Sequence, residues 1–210
     1  MTEYKDYGWQ TATPSHTHAY LANVLLPMLP KDGSPILDIG CGNGSMAIFL
    51  LKQGYNIYGT DASEKGIQIA RSTVSDRFFL QDLTKDSLPE QLREIPFRCI
   101  ISTEVIEHLY NPRHYVSFCK QILQQSGGGD LILSTPYHGY IKNIVLSVTG
   151  AMDKHFTALW DGGHIKFWSK KSITVLLKEF DFEVIDFKGC GRLPYLWKSM
   201  MIHARVSVLK

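Results

Sequence analysis

The sequence predicts an α/β fold in which a parallel sheet is covered by helices. Three observations carry that expectation. From about Ser34 onward, short β-rich runs alternate with helical stretches, the pattern of parallel strands joined by crossover helices. One fully apolar run, Ile36–Ile39, passes straight into a glycine-rich turn with a helical stretch behind it. The chain has 210 residues, 44% of them hydrophobic and 11% aromatic, enough for one sizeable core and one domain over 1–210.

Taken in order, residues 1–30 form an arm that ends in an expected helix over 14–29, its greasy stretch interrupted by Asn23 and Pro27. A core over 34–206 follows. Strands are expected at 36–39, 56–60, 77–80, 97–102 and 130–134, with a closing pair at 182–187 and about 199–206. Helices are expected at 45–53, 63–72, 112–125 and 169–180. Ser63 is a reasonable N-cap for the second of these. Ser169 is a better one for the last, because Ile173, Leu176, Leu177 and Phe180 follow it at helical spacing. Residues 137–168 interrupt the alternation as an insertion after a strand, where the ligand crevice of an open α/β sheet is built. Within it Ile141, Ile144, Val145 and Val148 make one apolar helix face. That face is expected to cover the crevice or pack on the body; contact of 139–150 with a membrane surface, or with a second copy, is the alternative.

Composition excludes several classes. Lys plus Arg is 22 and Asp plus Glu is 20, a net charge of +2, which argues against an electrostatic nucleic-acid binder. Cys41, Cys99, Cys119 and Cys190 are scattered without a Cys-x-x-Cys pair, so they read as reduced thiols. No signal pattern opens the chain, and no run reaches the roughly 18 apolar residues that a membrane span needs. A cytoplasmic protein is the expectation, with peripheral membrane contact as its variant.

The stretch Ile36-Leu37-Asp38-Ile39-Gly40-Cys41-Gly42-Asn43-Gly44 is the most informative. Glycine permits close backbone approach to a ligand, and a helix N-terminus offers free N–H groups. The next strand ends at Asp61, where a carboxylate can accept both hydroxyls of a ribose. The third ends at Asp82, where an acid can accept from an adenine amino group. Each aspartate alone is as readily a turn former or helix cap; the ordered trio is not. A nicotinamide loop would read Gly-x-Gly-x-x-Gly, whereas here the spacing is Gly-x-Gly-x-Gly behind acidic Asp38, suited to orienting a cationic amino-acid moiety. Residues 36–44, with Asp61 and Asp82, resemble the cofactor motifs of the Rossmann-like S-adenosylmethionine-dependent methyltransferases. The resemblance covers roughly 34–206. It implies a seven-stranded, mostly parallel sheet with helices on both faces and an antiparallel last strand. It implies S-adenosyl-L-methionine as cofactor and S-adenosyl-L-homocysteine as product. Gly40 and Gly42 would line the methionine part, Asp61 the ribose, and Asp82 with Leu83 the adenine. Asp38, Cys41, Ala62 and Thr103 complete the expected contacts, with His16 or Tyr20 supplied by the arm near the methionine carboxylate.

A second constellation follows the fourth strand. In a helix, Glu104, Glu107 and His108 would share one face at i, i+3 and i+4. That is a partial divalent-metal site or, equally, a solvated first turn whose acids suit the helix dipole. Ser-Thr-Glu-Val-Ile-Glu-His-Leu is similar to the ubiquinone-biosynthesis O-methyltransferases, and also to small-RNA 3′-terminal 2′-O-methyltransferases. That likeness implies a divalent ion, Mg2+ or another, near the transferred methyl group. His164, in Gly-Gly-His-Ile-Lys-Phe-Trp-Ser, becomes the fourth ligand candidate, with His138 as its competitor. The reaction expected is O-methylation of a small phenolic or other hydroxyl-bearing acceptor, lipid-like ones included. His108 and His164 are the candidate bases where no metal assists. The rivals are a non-catalytic cofactor-binding partner protein, an RNA 2′-O-methyltransferase and a nicotinamide-dependent oxidoreductase.

Overall fold

Side chains of successive strand residues point to opposite faces, so a sheet covered on both sides must carry two cores. A computed structural model of the chain describes residues 8–14, 16–83 and 87–207. It shows seven strands: β1 (Ile36–Ile39), β2 (Ile57–Asp61), β3 (Phe78–Leu80), β4 (Cys99–Thr103), β5 (Gly128–Pro136), β6 (Glu183–Cys190) and β7 (Ser199–Ser207). They form one sheet in the order β3-β2-β1-β4-β5-β7-β6. Strands β1 to β5 pair in parallel, and β7 is antiparallel to both β5 and β6. This is the sheet that the resemblance implies.

Seven α-helices accompany it: α1 (His18–Leu25), α2 (Ser45–Lys52), α3 (Glu64–Thr73), α4 (Pro112–Gln125), α5 (Tyr140–Val148), α6 (Met152–Phe156) and α7 (Lys170–Lys178). Leu37, Ile100, Leu131, Leu133, Met200 and Ile202 face one core, closed by Tyr115, Cys119 and Leu123 of α4 and by Ile173 and Leu177 of α7. Ile36, Ile57, Cys99, Ile101, Ile132 and Met201 face the other, closed by α1, α2 and α3. Several helix starts are written in the sequence. Ser63 accepts from Gly66 N and Asn111 from His114 N, while Ser169 forms a reciprocal capping box with Ser172.

The arm helix differs from expectation. It begins at His18 and gives way to a 3-10 turn over Leu26–Met28. Pro27 has no N–H to return to Asn23, so the α-helix stops one turn early. Among the arm's aromatic residues, Tyr4 and Tyr7 lie outside the described residues. No helix among the described residues is long and apolar enough to cross a membrane.

Candidate active site

The sheet's strand order reverses between β1 and β4, which opens a crevice beyond their carboxyl ends. Two loops meet there. Gly40, Gly42 and Gly44 all have positive φ, and a Cβ on Gly40 would collide with the Val105 side chain of the turn after β4. Only glycine lets the two loops touch. Asp61, at the end of β2, draws the glycine loop toward α3: Gly42 N donates to its Oδ2 and Ser63 N to its Oδ1, each at 2.8 Å. Asp38 is fully buried beneath the loop, with neither oxygen hydrogen-bonded among the described residues. Burial, and then the nearby Asp61, push its carboxyl up to about 8.

The remaining expected cofactor residues fall on the same edge. Cys41 is buried in the glycine loop, and Thr103 ends β4 opposite Ser134 of β5. Ala62 and Asp82, with Glu64, Gln81, Ser87 and Arg93, line a cleft of about 350 Å³; Leu83 does not line it and packs instead against the first core. His16 is exposed in the turn before α1, and Tyr20 reaches not the glycine loop but Ser199, hydroxyl to hydroxyl at 3.3 Å. The arm residues that do reach the loop are others. Asn43 Nδ2 donates to the carbonyls of Thr11 and Thr13, at 2.9 and 3.1 Å. The Trp9 indole lies against both Gly42 and Gly66. Asn43 sits inside the glycine motif and was legible as a loop residue, but nothing in the sequence tied it to the arm.

The segment 104–108 is not the expected α-helix. Glu104 takes a left-handed backbone (φ 57), and only Ile106–His108 wind, as one 3-10 turn. The reason is the neighbouring strands. Glu104 N continues the β4–β5 pairing to the carbonyl of Ser134, while its carboxylate accepts from Ser134 Oγ at 2.7 Å and from Ser199 Oγ at 3.0 Å. Glu104 is thereby held apart from the other two residues, and the single helical face is replaced by two separate environments.

Glu107 is fully buried, and neither carboxylate oxygen has a hydrogen-bond partner among the described residues. The insertion brings His164 to it. Ile165 N and Lys166 N both donate to the Glu107 backbone carbonyl, at 2.9 and 3.0 Å, which leaves His164 Nε2 4.0 Å from Glu107 Oε1. His108 packs edge-on to His164 and Trp160. Its Nδ1–H donates to the Gly162 carbonyl at 3.0 Å, which leaves Nε2 with a free lone pair. Donor atoms of Glu107, His108 and His164 lie within 4.8 Å of one another. His138 stands elsewhere, against His155, Phe156 and Phe167.

The electrostatics follow from burial. Glu107 is pushed well above the usual carboxylate range by burial and then by the charge of Glu104. Glu104 is raised to about 7 by burial, against the pull of its two serine hydrogen bonds. His164 is brought down to about 4, by burial first and His108 second, and burial also lowers His108. Both imidazoles are therefore neutral at pH 7 and able to take a proton or ligate a cation.

Residues 14–186 match a family model described as a methyltransferase domain. A ubiquinone biosynthesis O-methyltransferase of Roseobacter denitrificans is 29% identical over 173 residues, 80% of this chain and 67% of that protein. Its counterpart in Dinoroseobacter shibae is 29% identical over 166 residues, 76% of this chain and 64% of that protein. The chain thus spans about two thirds of the length of these relatives. Among solved structures, the magnesium protoporphyrin IX methyltransferase of Synechocystis with bound S-adenosylhomocysteine superposes with a TM-score of 0.64 at 21% identity. That match covers 91% of this chain and 82% of the other.

Proposed function

The chain belongs to the methyltransferase-domain family, and from that premise we propose that it moves the methyl group of S-adenosylmethionine to a hydroxyl oxygen of a small acceptor. The observation that carries the choice of oxygen is Glu107, a buried carboxylate whose oxygens have no hydrogen-bond partner among the described residues, beside two neutral imidazoles. A buried acid without partners is costly unless something arrives to use it.

The residues on the β1–β2–β3 edge fit the cofactor. Asp38, buried and without hydrogen bonds, suits the ammonium of the methionine part, and Asp61 retains lone pairs for ribose hydroxyls. When bound, S-adenosylmethionine supplies a methyl group on a sulfonium, a strong electrophile that needs an aligned nucleophile more than covalent help. Glu107, His108 and His164 also fit a divalent cation, because a carboxylate and two imidazoles bring donor atoms within 4.8 Å of one another. The Gly162 carbonyl fixes the tautomer of His108 in the way that metal-ligating histidines require. Such an ion would supply Lewis acidity toward the acceptor hydroxyl. Where no ion is held there, the chain's own task is to orient that hydroxyl and hold its proton: His164 Nε2, 4.0 Å from Glu107 Oε1, is placed to receive it.

The acceptor is proposed to be phenolic or lipid-like, consistent with relatives that are ubiquinone biosynthesis O-methyltransferases and with the exposed apolar side chains of α5. The test is turnover of S-adenosylmethionine with catechol, with and without chelator, alongside calorimetric titration with S-adenosylhomocysteine. Glu107→Gln should lower kcat by on the order of 10²- to 10⁴-fold and leave cofactor affinity within a few-fold. No methylation of any phenolic hydroxyl would sink the proposal; full activity in chelator would remove the metal from it.

A further inference from the structure

The α5 helix sits in the fold the opposite way round from its hydropathy. Ile141, Ile144, Val145 and Val148 face solvent, and the residue it buries is Lys142, at 4% exposure. A lysine on the inner face of a nine-residue helix, over the carboxyl ends of the strands, has little reason to be there unless it meets an anion.

The described residues do not supply that anion. Lys142 Nζ donates to the Lys198 carbonyl at 3.3 Å, and among the described residues no carboxylate pairs with it. One of its three donors is therefore used. Glu104 is close enough to feel its charge, but both Glu104 oxygens are taken by the hydroxyls of Ser134 and Ser199. A second cation stands in the turn between β6 and β7. Arg192, on a left-handed backbone (φ 61), follows Gly191, whose carbonyl accepts from Lys198 N while the Lys198 carbonyl accepts from Lys142 Nζ. Its charge opposes that of both Lys142 and His155. Burial first, and Arg192 second, bring the Lys142 ammonium down to about 8. His138, lowered first by burial, also feels the charges of Lys142, His155 and His164, the last of which borders Glu107.

Two cations brought to one turn, one of them buried and mostly unspent as a donor, cost the fold stability and serve an incoming anion. We propose that Lys142 and Arg192 form a subsite for a carboxylate carried by the acceptor. The acceptor's hydroxyl then lies at Glu107, His108 and His164, and its acidic group under α5. This rests on the O-methyl-transfer reading above and adds the substrate class: an acidic hydroxyl compound rather than a neutral one.

A matched pair of probes tests it, 3,4-dihydroxyphenylacetate and its neutral methyl ester. Binding of each is titrated to the protein saturated with S-adenosylhomocysteine, and turnover of each is measured with S-adenosylmethionine. The acid should bind at least tenfold more tightly than the ester. In Lys142→Gln and in Arg192→Gln that ratio should fall toward one, and Lys142→Arg should recover part of it. Arg192 is exposed, so its variant keeps the test alive even if Lys142→Gln fails to fold. A ratio near one in the unaltered protein, or a ratio that survives both substitutions, overturns the subsite. Turnover of both probes with equal affinities leaves the O-methyl reading standing without the subsite. A tenfold preference in binding with no turnover of either leaves the subsite standing without that reading.

Discussion

Glu104 and Glu107 stand three residues apart and end in different chemistry. Glu104 is satisfied by two serine hydroxyls from β5 and β7, and it accepts a left-handed backbone to get there, a conformation that costs a non-glycine residue about 1–3 kcal/mol. Glu107 is left without a hydrogen bond and gains His164 as a neighbour. Spacing alone put both acids on one helix face, because neither Ser134 nor Ser199 is near them in sequence. Elsewhere a residue-scale pairing has a plain thermodynamic signature. Burial works to raise the Asp130 carboxyl, but the hydrogen bonds and charges of His203 and Arg205 win and hold it at about 2. Its folded value lies below the ordinary 3.8, so this contribution is present above about pH 4 and is lost as pH falls toward 2. Arg205→Gln should therefore cost about 1 kcal/mol at pH 7, discounted because Arg205 is largely exposed. Denaturant unfolding at each pH should show the gap between variant and parent narrowing by pH 3; a gap that stays constant would contradict the assignment.

At the scale of elements, strands and caps were legible because their causes are local. The apolar run of β1, the caps Ser63 and Ser169 and the full extent of α4 follow from side chains within four residues of the feature they control. The turn at 104–108 and the orientation of α5 were not, since both answer to residues from other strands. Gly66 shows how the wider structure reverses a local rule. By helix propensity, Gly66→Ala in α3 should stabilise by about 1 kcal/mol. In place, the new Cβ would lie 2.7 Å from the Gly42 carbonyl oxygen and 3.0 Å from the Trp9 ring. A backbone oxygen of the glycine loop cannot swing aside, so the variant is expected to lower Tm and weaken S-adenosylhomocysteine binding together. A higher Tm with unaltered affinity would show that the loop yields more easily than the packing implies.

For the whole molecule, the topology separates two tasks along one edge. The glycine loop, Asp61 and Asp82 lie on the β1–β2–β3 side, and the Glu107 cluster with Lys142 lies on the β4–β5–β7 side under the insertion. The insertion turns its apolar residues outward, with Val148 82% exposed and Leu159 99%. A protein taking a lipid-like acceptor from a bilayer would use that surface. We expect it to sediment with vesicles containing anionic lipid, and Ile144→Ser with Val148→Ser to abolish this without shifting Tm, because exposed substitutions change stability by under about 0.5 kcal/mol. Failure of the parent protein to sediment would remove the membrane from its function. By itself, the sequence determined the family, the order of strands and helices and the glycine loop with its two strand-end acids. Those depend on periodicity, glycine positions and caps, which act over a few residues and survive without knowledge of the rest. Tertiary structure alone decided which acid joins the histidines, that the arm reaches the glycine loop through Trp9 and Asn43, and that α5 buries a lysine instead of its apolar face. Each depends on a partner many residues away, and a hydrogen bond or a buried charge is settled by what surrounds it in space.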